Sequence, residues 1–207
     1  MNRASRIAIA LAAGLATQAC VSDVSREQLH ATLWMQQAAE YRAVAAQTYR
    51  QATDRLDALL EPGSASLEQL EQPAAQWAAL PPAVILDLDE TVFDNSWFQA
   101  RMIRDRTEYA APSWDAWVLE AAATAVPGAR EFLAAAAARG VQIFYVTNRE
   151  CPKQAPASGD PCPAKTATQR NLRALRVPSA DDPSHLLLRR ERQIGRASCR
   201  ERVSSPV

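Results

Sequence analysis

The sequence predicts an α/β protein in which helices flank a parallel β-sheet. Two continuous apolar runs, "AVILDLD" from Ala83 and "VQIFYVTN" from Val141, are typical of strands, and the first indicates a strand buried on both faces. Helical segments separate these runs from each other and from a third run, "HLLL", that begins at His185. Strand, helix, strand, helix, strand is the alternation of an open parallel sheet.

The composition limits the size of the protein and the kind of partner. The chain has 207 residues, of which 48% are hydrophobic, and this suffices for one core with an appendage. Its 23 Lys and Arg balance 23 Asp and Glu, so no overall field attracts nucleic acid or an anionic membrane. We therefore expect a small-molecule partner and no nucleic-acid polymer.

Residues 1–20 have the order of an export signal. Arg3 and Arg6 precede the apolar run 7–15, and small residues lead to Cys20. The ending resembles a bacterial lipoprotein signal, in which Cys20 is lipidated; simple cleavage is the alternative. We expect a protein of the bacterial cell envelope, either an outer-membrane lipoprotein anchored through Cys20 or a periplasmic protein.

Residues 21–80 form a predicted N-terminal helical segment. One long helix is expected from Ser25, which with Gln28 has the pattern of a capping box. Apolar residues at steps of three and four predict a stripe that packs against the core, although its aromatic members could instead form a ligand surface. The stripe consists of Trp34, Ala38, Tyr41, Ala45, Tyr49, Ala52, Leu56 and Leu59.

Residues 81–188 contain the predicted sheet. A segment rich in aromatic residues follows the first strand and predicts a small helical insertion. A helix is expected to begin after Gly128 and to stop at Gly140, and another to run from about Lys165. Residues 189–207 turn abruptly basic, lose any periodicity and resemble translated vector sequence, so we expect this tail to be non-native.

The cysteines at 151 and 162 predict a disulfide. They bracket the loop "PKQAPASGDP", and export would place them in an oxidising compartment. A bridge there would contribute about 2 to 3 kcal/mol. A metal site is the weaker alternative, because neither His30 nor His185 lies at ligand spacing.

Four polar residues fall at the predicted carboxyl ends of the first two strands, where ligands bind in such sheets: Asp87, Asp89, Thr147 and Asn148. Residues two apart on an extended chain point to the same side, so the two carboxylates can converge. One can act as a general acid while the other is a nucleophile or a ligand of Mg2+. A calcium loop is excluded, because Val92 occupies the position that requires glycine. A strand-end aspartate that only caps a turn explains either carboxylate alone better than both.

Five stretches in order resemble the class C acid phosphatases, the lipoprotein 5'-nucleotidase family of the haloacid dehalogenase-like (HAD) superfamily. They are "LHATLWMQQAAEYRAVAAQTY", "DLDETVFDNS", "AVPGAREFL", "FYVTNR" and "HLLL". The resemblance implies a HAD-like core and a Mg2+-dependent phosphomonoesterase. The substrates it implies are small esters such as nucleoside monophosphates or aryl phosphates. A non-catalytic envelope or storage-like protein and a plain α/β binding module are the alternatives.

The resemblance also implies a role for each residue at the strand ends. Asp87 would be the nucleophile that forms an aspartyl-phosphate, and Asp89 would protonate the leaving alcohol and then activate water. Mg2+ would bind the Asp87 carboxylate and the Asp89 backbone carbonyl. Thr147 and the backbone of Asn148 would bind phosphate oxygens.

Two elements of the family pattern have no counterpart in the sequence. The third-motif lysine is missing, since Lys165 lies too early, and so is the fourth, acidic motif of the metal site. We therefore expect a sheet that is incomplete at its C-terminal side and little phosphatase activity from this polypeptide.

Aromatic residues in the insertion are candidates for substrate stacking. Trp97, Phe98 and Tyr109 are the predicted stacking residues. Trp114 and Trp117, three apart on a helix, are assigned to packing.

Overall fold

A computed structural model describes residues 28–61, 64, 79–151, 159–189 and 191. Its elements, in chain order, are α1 (Leu29–Gln37), α2 (Ala39–Leu59), β1 (Ala83–Leu86), β2 (Phe93–Asp94), α3 (Ser96–Asp105), α4 (Ala111–Glu120), β3 (Thr124–Ala125), α5 (Ala129–Ala138), β4 (Gln142–Glu150), α6 (Pro163–Leu175), a 3-10 turn (Pro183–His185) and β5 (Leu186–Arg189). The predicted export signal with Cys20, the cap at Ser25 and most of the tail lie outside the described residues.

The main sheet of the described chain is parallel, as the sequence predicts. Its strand order is β1, β4, β5. Tyr145 in the middle strand lies opposite Leu86 on one side and Leu186 on the other, which brings the strand ends to one edge. β5 extends to Arg189, the first residue of the predicted tail.

A second, antiparallel pair of strands was not predicted. β2 and β3 pair through Phe93 with Ala125 and Asp94 with Thr124, and they enclose the two helices of the insertion. Strands of two residues are too short to give a periodic signal in the sequence.

The prediction that the first strand is buried on both faces is wrong. Leu86 is buried, but the Ile85 side chain is 71% exposed. Within the described residues β1 pairs with β4 alone and is therefore an edge strand. In addition, the face of β1 that carries Ile85 meets solvent.

The predicted N-terminal helix is divided in two at Ala38. This residue has extended backbone angles, φ −70° and ψ 132°, which end α1 and start α2. The Arg42 guanidinium donates to the carbonyl oxygens of Gln36 and Gln37 and so satisfies acceptors at the end of α1. Only the middle of the predicted stripe packs on the core: Tyr49, Ala52 and Leu56 do so, whereas Trp34 and Leu59 are largely exposed.

Helices pack against the sheet and against each other. α2 packs against α5, α4 packs against α6, and both α5 and α6 contact β4. Gly128, with φ +89°, allows α2 to approach so closely that a Cβ there would lie 2.9 Å from Tyr49 Cβ. Within the described residues no helix combines the length and apolarity needed to cross a membrane.

Candidate active site

The ends of β1 and β4 bring Asp89 and Thr147 together. The Thr147 hydroxyl donates to Oδ2 of Asp89 over 3.4 Å. Thr147 is buried, and the next residue, Asn148, is exposed. Asn148 and Asp89 line one cleft, which is described below. The sequence-based expectation that these strand ends converge therefore agrees with the geometry for Asp89, Thr147 and Asn148.

Asp87 lies one residue beyond the end of β1. Its Oδ1 accepts a 2.8 Å hydrogen bond from the backbone N–H of Leu88. Partial burial raises the pKa of Asp87 above its usual value; the Leu88 amide opposes this shift, the charge of Asp89 adds to it, and Arg149 opposes it. The charge of Asp89 is thus close enough to act on the Asp87 carboxylate.

A tight turn carries the chain from Asp89 back to β2. The backbone N–H groups of Val92 and Phe93 both donate to the Leu88 carbonyl oxygen over 2.8 Å. Glu90 in this turn has φ 57°, a left-handed conformation that is uncommon for a residue with a side chain. These bonds hold the segment that follows Asp89 in a tight turn.

Arg149 is the residue at the site that sequence reasoning missed. Its side chain is only 2% exposed, and it forms an ion pair with Asp89, with 2.7 Å between Nη2 and Oδ1. Its Nε also donates to both Asp89 oxygens, at 3.2 and 3.1 Å. A signal was available, since Tyr145, Thr147 and Arg149 alternate along one strand and so share a face.

Asn95 is a second residue that the sequence analysis did not single out. It is fully buried, donates from Nδ2 to Oδ1 of Asp89 over 3.0 Å, and accepts from the indole N–H of Trp117 over 2.8 Å. Asn95 therefore connects the catalytic candidate Asp89 to the packed insertion.

A cleft of about 810 Å³ opens beside Asp89. Aromatic, apolar and charged side chains line it, among them Tyr109, Trp114, Asp115, Leu119, Arg149 and Arg189. Tyr109 is a predicted stacking residue. Trp114, which the sequence assigns to packing, does pack against the core and also lines the cleft. Trp117 is 3% exposed, in agreement with its assignment to the core.

Two of the predicted stacking residues do not face this cleft. Phe98 is 4% exposed and packs in the core, with its ring centroid 5.2 Å from that of Trp114. Trp97 is exposed but lines a different, smaller groove with Tyr41 and Asp94. Residues that follow one another on α3 point to different sides of the helix, so the sequence cluster could not share one surface.

The predicted disulfide between Cys151 and Cys162 is present, with Cα atoms 4.8 Å apart. It joins the end of β4 to the start of α6, and Cys151 lines the cleft.

The oxygen ligands available at the strand end suit Mg2+. The described residues contain no group of three or more His, Cys, Asp or Glu side chains that could hold a metal ion. They offer the Asp87 carboxylate and the Asp89 backbone carbonyl. Mg2+ commonly binds one or two carboxylates and retains several waters, so this small oxygen set is compatible with it.

The parallel sheet has D-x-D directly after β1 and Thr147 in the C-terminal half of β4, which is the arrangement expected of the class of HAD-like proteins. The chain belongs to subfamily IIIB of that superfamily, the acid phosphatases, because the family model matches residues 8–198.

Two solved structures are similar to the chain. Both are of the class C acid phosphatase from Bacillus anthracis. The one with tungstate bound is 34% identical, with a TM-score of 0.66 over 88% of this chain. The other is 33% identical, with a TM-score of 0.64 over the same share. The chain spans 65% of the length of either relative.

Proposed function

We propose that the protein is a Mg2+-dependent phosphomonoesterase that works through an aspartyl-phosphate on Asp87. The observation that carries the proposal is the position of Asp89, which accepts hydrogen bonds from Thr147 and Arg149 at the edge of the sheet. Asp87 directly precedes this cluster on the strand. An acidic pair beside a threonine at an open cleft is suited to phosphoryl transfer.

The two aspartates have different roles in the proposed reaction: Asp87 is the nucleophile, and Asp89 transfers protons. A carboxylate oxygen of Asp87 attacks phosphorus, the bond from phosphorus to the leaving oxygen breaks, and protonated Asp89 gives its proton to that oxygen. Asp89, now ionised, takes a proton from water as the water attacks phosphorus, and the bond from phosphorus to Asp87 breaks. Phosphate leaves, and both side chains return to their starting states.

The phosphate oxygens need neutral and charged partners near Asp87. The Thr147 hydroxyl and the backbone N–H of Asn148 are the donors we assign to them. Bound Mg2+ would supply positive charge that offsets the phosphate and the two aspartates. The Asp87 carboxylate and the Asp89 carbonyl would hold it.

The cleft favours a small ester with an aromatic leaving group, such as a nucleoside monophosphate or an aryl phosphate. Tyr109 and Trp114 line the cleft and are the aromatic residues we assign to stacking on such a group, and Asp115, also in the lining, would accept from hydroxyl or amino groups. The proposed activity thus includes that of a 5'-nucleotidase.

The proposed location is the bacterial cell envelope, with Cys20 lipidated at the outer membrane. The support is the order of residues 1–20 and the disulfide between Cys151 and Cys162, which suits an oxidising compartment. Mass spectrometry of the mature N-terminus tests this. A diacylglyceryl group on Cys20 is expected, and a mature chain that begins elsewhere without lipid would contradict it.

The activity test compares wild type with Asp87→Asn and with Asp54→Asn, an exposed control on α2. All three are assayed in the form whose residues 190–207 are replaced by the C-terminal part of the Bacillus anthracis enzyme. An aryl phosphate and Mg2+ are supplied. Asp87→Asn should abolish turnover with the fold intact, whereas Asp54→Asn should not. Turnover by Asp87→Asn within a few-fold of wild type would contradict the assignment. Mg2+ binding by calorimetry should weaken in the same variant.

A second comparison tests the two missing family motifs. The chain from Val21 is assayed as it stands and with residues 190–207 replaced by the C-terminal part of the Bacillus anthracis enzyme. The extended form should be faster by about a hundredfold or more, because the loss of a single stabilising donor typically costs that much. Equal rates would show that the motifs are dispensable here. Absence of turnover in both forms would favour the alternative, a non-catalytic envelope protein.

A further inference from the structure

Arg149 uses its whole guanidinium group inside the protein. Nε and Nη2 contact Asp89, and Nη1 donates to the Thr168 hydroxyl over 3.0 Å. The group also lies over the ring of Phe93, 4.8 Å from its centroid, and 5.8 Å from that of Trp114. A planar cation with these partners on its edges and faces is held in one orientation.

The contacts distribute unequally over the two oxygens of Asp89. Oδ1 accepts the shortest bond, 2.7 Å from Nη2 of Arg149, and a further 3.0 Å bond from Asn95. Oδ2 has only the 3.1 Å contact from Nε of Arg149 and the long 3.4 Å contact from Thr147. Oδ1 is therefore saturated, and Oδ2 is the oxygen with capacity left, on the side of the proposed phosphate ligand Thr147.

Arg149 is poorly placed to be a phosphate ligand itself. To turn toward a substrate it would have to leave Thr168, a fully buried hydroxyl, and the face of Phe93. Both losses leave a buried group without its partner. Its position points instead to an effect that passes through Asp89.

We propose that Arg149 is a positioning residue that orients Asp89 for proton transfer. Its short bond holds Oδ1, while Oδ2 receives only the longer Nε contact and faces the leaving oxygen. A proton on Oδ2 then passes to that oxygen as its bond to phosphorus breaks. This inference rests on the proposed phosphomonoesterase function, in which Asp89 is the general acid. In this proposal Arg149 itself neither gives nor takes a proton during the reaction.

The test is the dependence of kcat/KM on the leaving group, measured in the full chain and in its extended form. A series from nitrophenyl phosphate to alkyl phosphates is hydrolysed by wild type, Arg149→Met and Arg149→Lys. Good leaving groups depart without a proton, whereas alkoxides require one. Arg149→Met should lose at least tenfold more rate with alkyl than with nitrophenyl phosphate. Arg149→Lys keeps the positive charge but loses the two-pronged guanidinium group. Its extra loss of rate with alkyl phosphate should therefore lie between those of wild type and Arg149→Met.

Arg101→Met is the matched control. Arg101 also pairs with a carboxylate, Glu120 at 2.6 Å, and lies 4.9 Å from the centroid of the Trp117 ring, but it does not contact Asp89. Its variant should leave the leaving-group dependence unchanged. A partly unfolded sample lowers all rates equally and cannot change this dependence, so Arg149→Met and Arg149→Lys remain informative even if they are less stable.

A crystal structure of Arg149→Lys separates this inference from the proposed function. We expect the Asp89 carboxylate to have rotated away from its wild-type position. An unmoved carboxylate, or an equal loss of rate for every leaving group, would overturn the positioning role even if the enzyme is a phosphatase. A displaced carboxylate, together with an extended wild-type form that shows no turnover, would support the positioning of Asp89 and reject the phosphatase.

Discussion

The hydroxyl of Tyr49 donates a 2.7 Å hydrogen bond to the backbone carbonyl of Thr91. Tyr49 lies on α2, and Thr91 lies in the turn that follows Asp89. Partial burial raises the pKa of the Tyr49 phenol, so the donor keeps its proton across the ordinary pH range. The N-terminal helical segment thus supports the turn that carries the candidate catalytic residues.

Tyr49→Phe should lower the free energy of unfolding by about 0.5 to 1.5 kcal/mol, because the Thr91 carbonyl loses its donor. Urea unfolding measures the change. Tyr41→Phe is the control, since among the described residues Tyr41 has no such hydrogen bond. Equal losses for the two variants would contradict the role of this bond.

Gly128→Ala should destabilise the protein more than Gly140→Ala. Both positions have positive φ, so both variants incur a backbone cost of about 1 kcal/mol. At Gly128 the new Cβ would also lie 3.0 Å from the Ala46 Cα, whereas at Gly140 it would meet open space. We expect the first variant to lose about 1 to 3 kcal/mol more, from overpacking between α2 and α5. Thermal or urea unfolding of both variants decides this, and similar stabilities would show that α2 can move away.

Asn95→Ala should lower both stability and turnover. The indole N–H of Trp117 would be left buried without an acceptor, at a cost of about 1 to 3 kcal/mol. Asp89 would lose one of its donors as well. Asn171→Ala is the matched control, because Asn171 is equally buried but bonds to the backbone of Ala123, away from Asp89.

Unfolding and phosphatase assays on both variants separate the two effects. The control should lose stability with its rate per folded molecule preserved. Full activity in folded Asn95→Ala would mean that its bond to Asp89 does not matter for turnover.

Replacing Cys151 and Cys162 together with alanine should reduce the free energy of unfolding by about 2 to 3 kcal/mol. The bridge closes a loop between residues 11 apart, and its loss frees the unfolded chain. Wild type in a reducing agent should reproduce the variant in urea unfolding. A variant as stable as oxidised wild type would refute the contribution of the bridge.

The strand ends could be predicted from the sequence because their signals are local. Continuous apolar runs that end in Asp87 and in Thr147 specify both the strands and the edge at which they meet. The hydrogen bond from Trp117 to Asn95 and the ion pair of Arg149 with Asp89 join residues 22 and 60 positions apart, and no local pattern specifies such partners. The exposure of Ile85 likewise depends on which elements pack over that face of β1, which is a property of the assembled fold.

Because Trp114 lines the cleft, ligand binding there can be followed by tryptophan fluorescence. Its indole lines the cleft, close to the buried charge of Arg149, while Trp117 is shielded and Trp97 faces another groove. Indole emission responds to nearby charge and to contact with water. An oxyanion or an aryl ester that enters the cleft should therefore change the fluorescence of Trp114, and a quencher dissolved in water should reach Trp97 while sparing Trp117. Ligand affinity can then be measured in a fluorescence titration, without any chemical turnover.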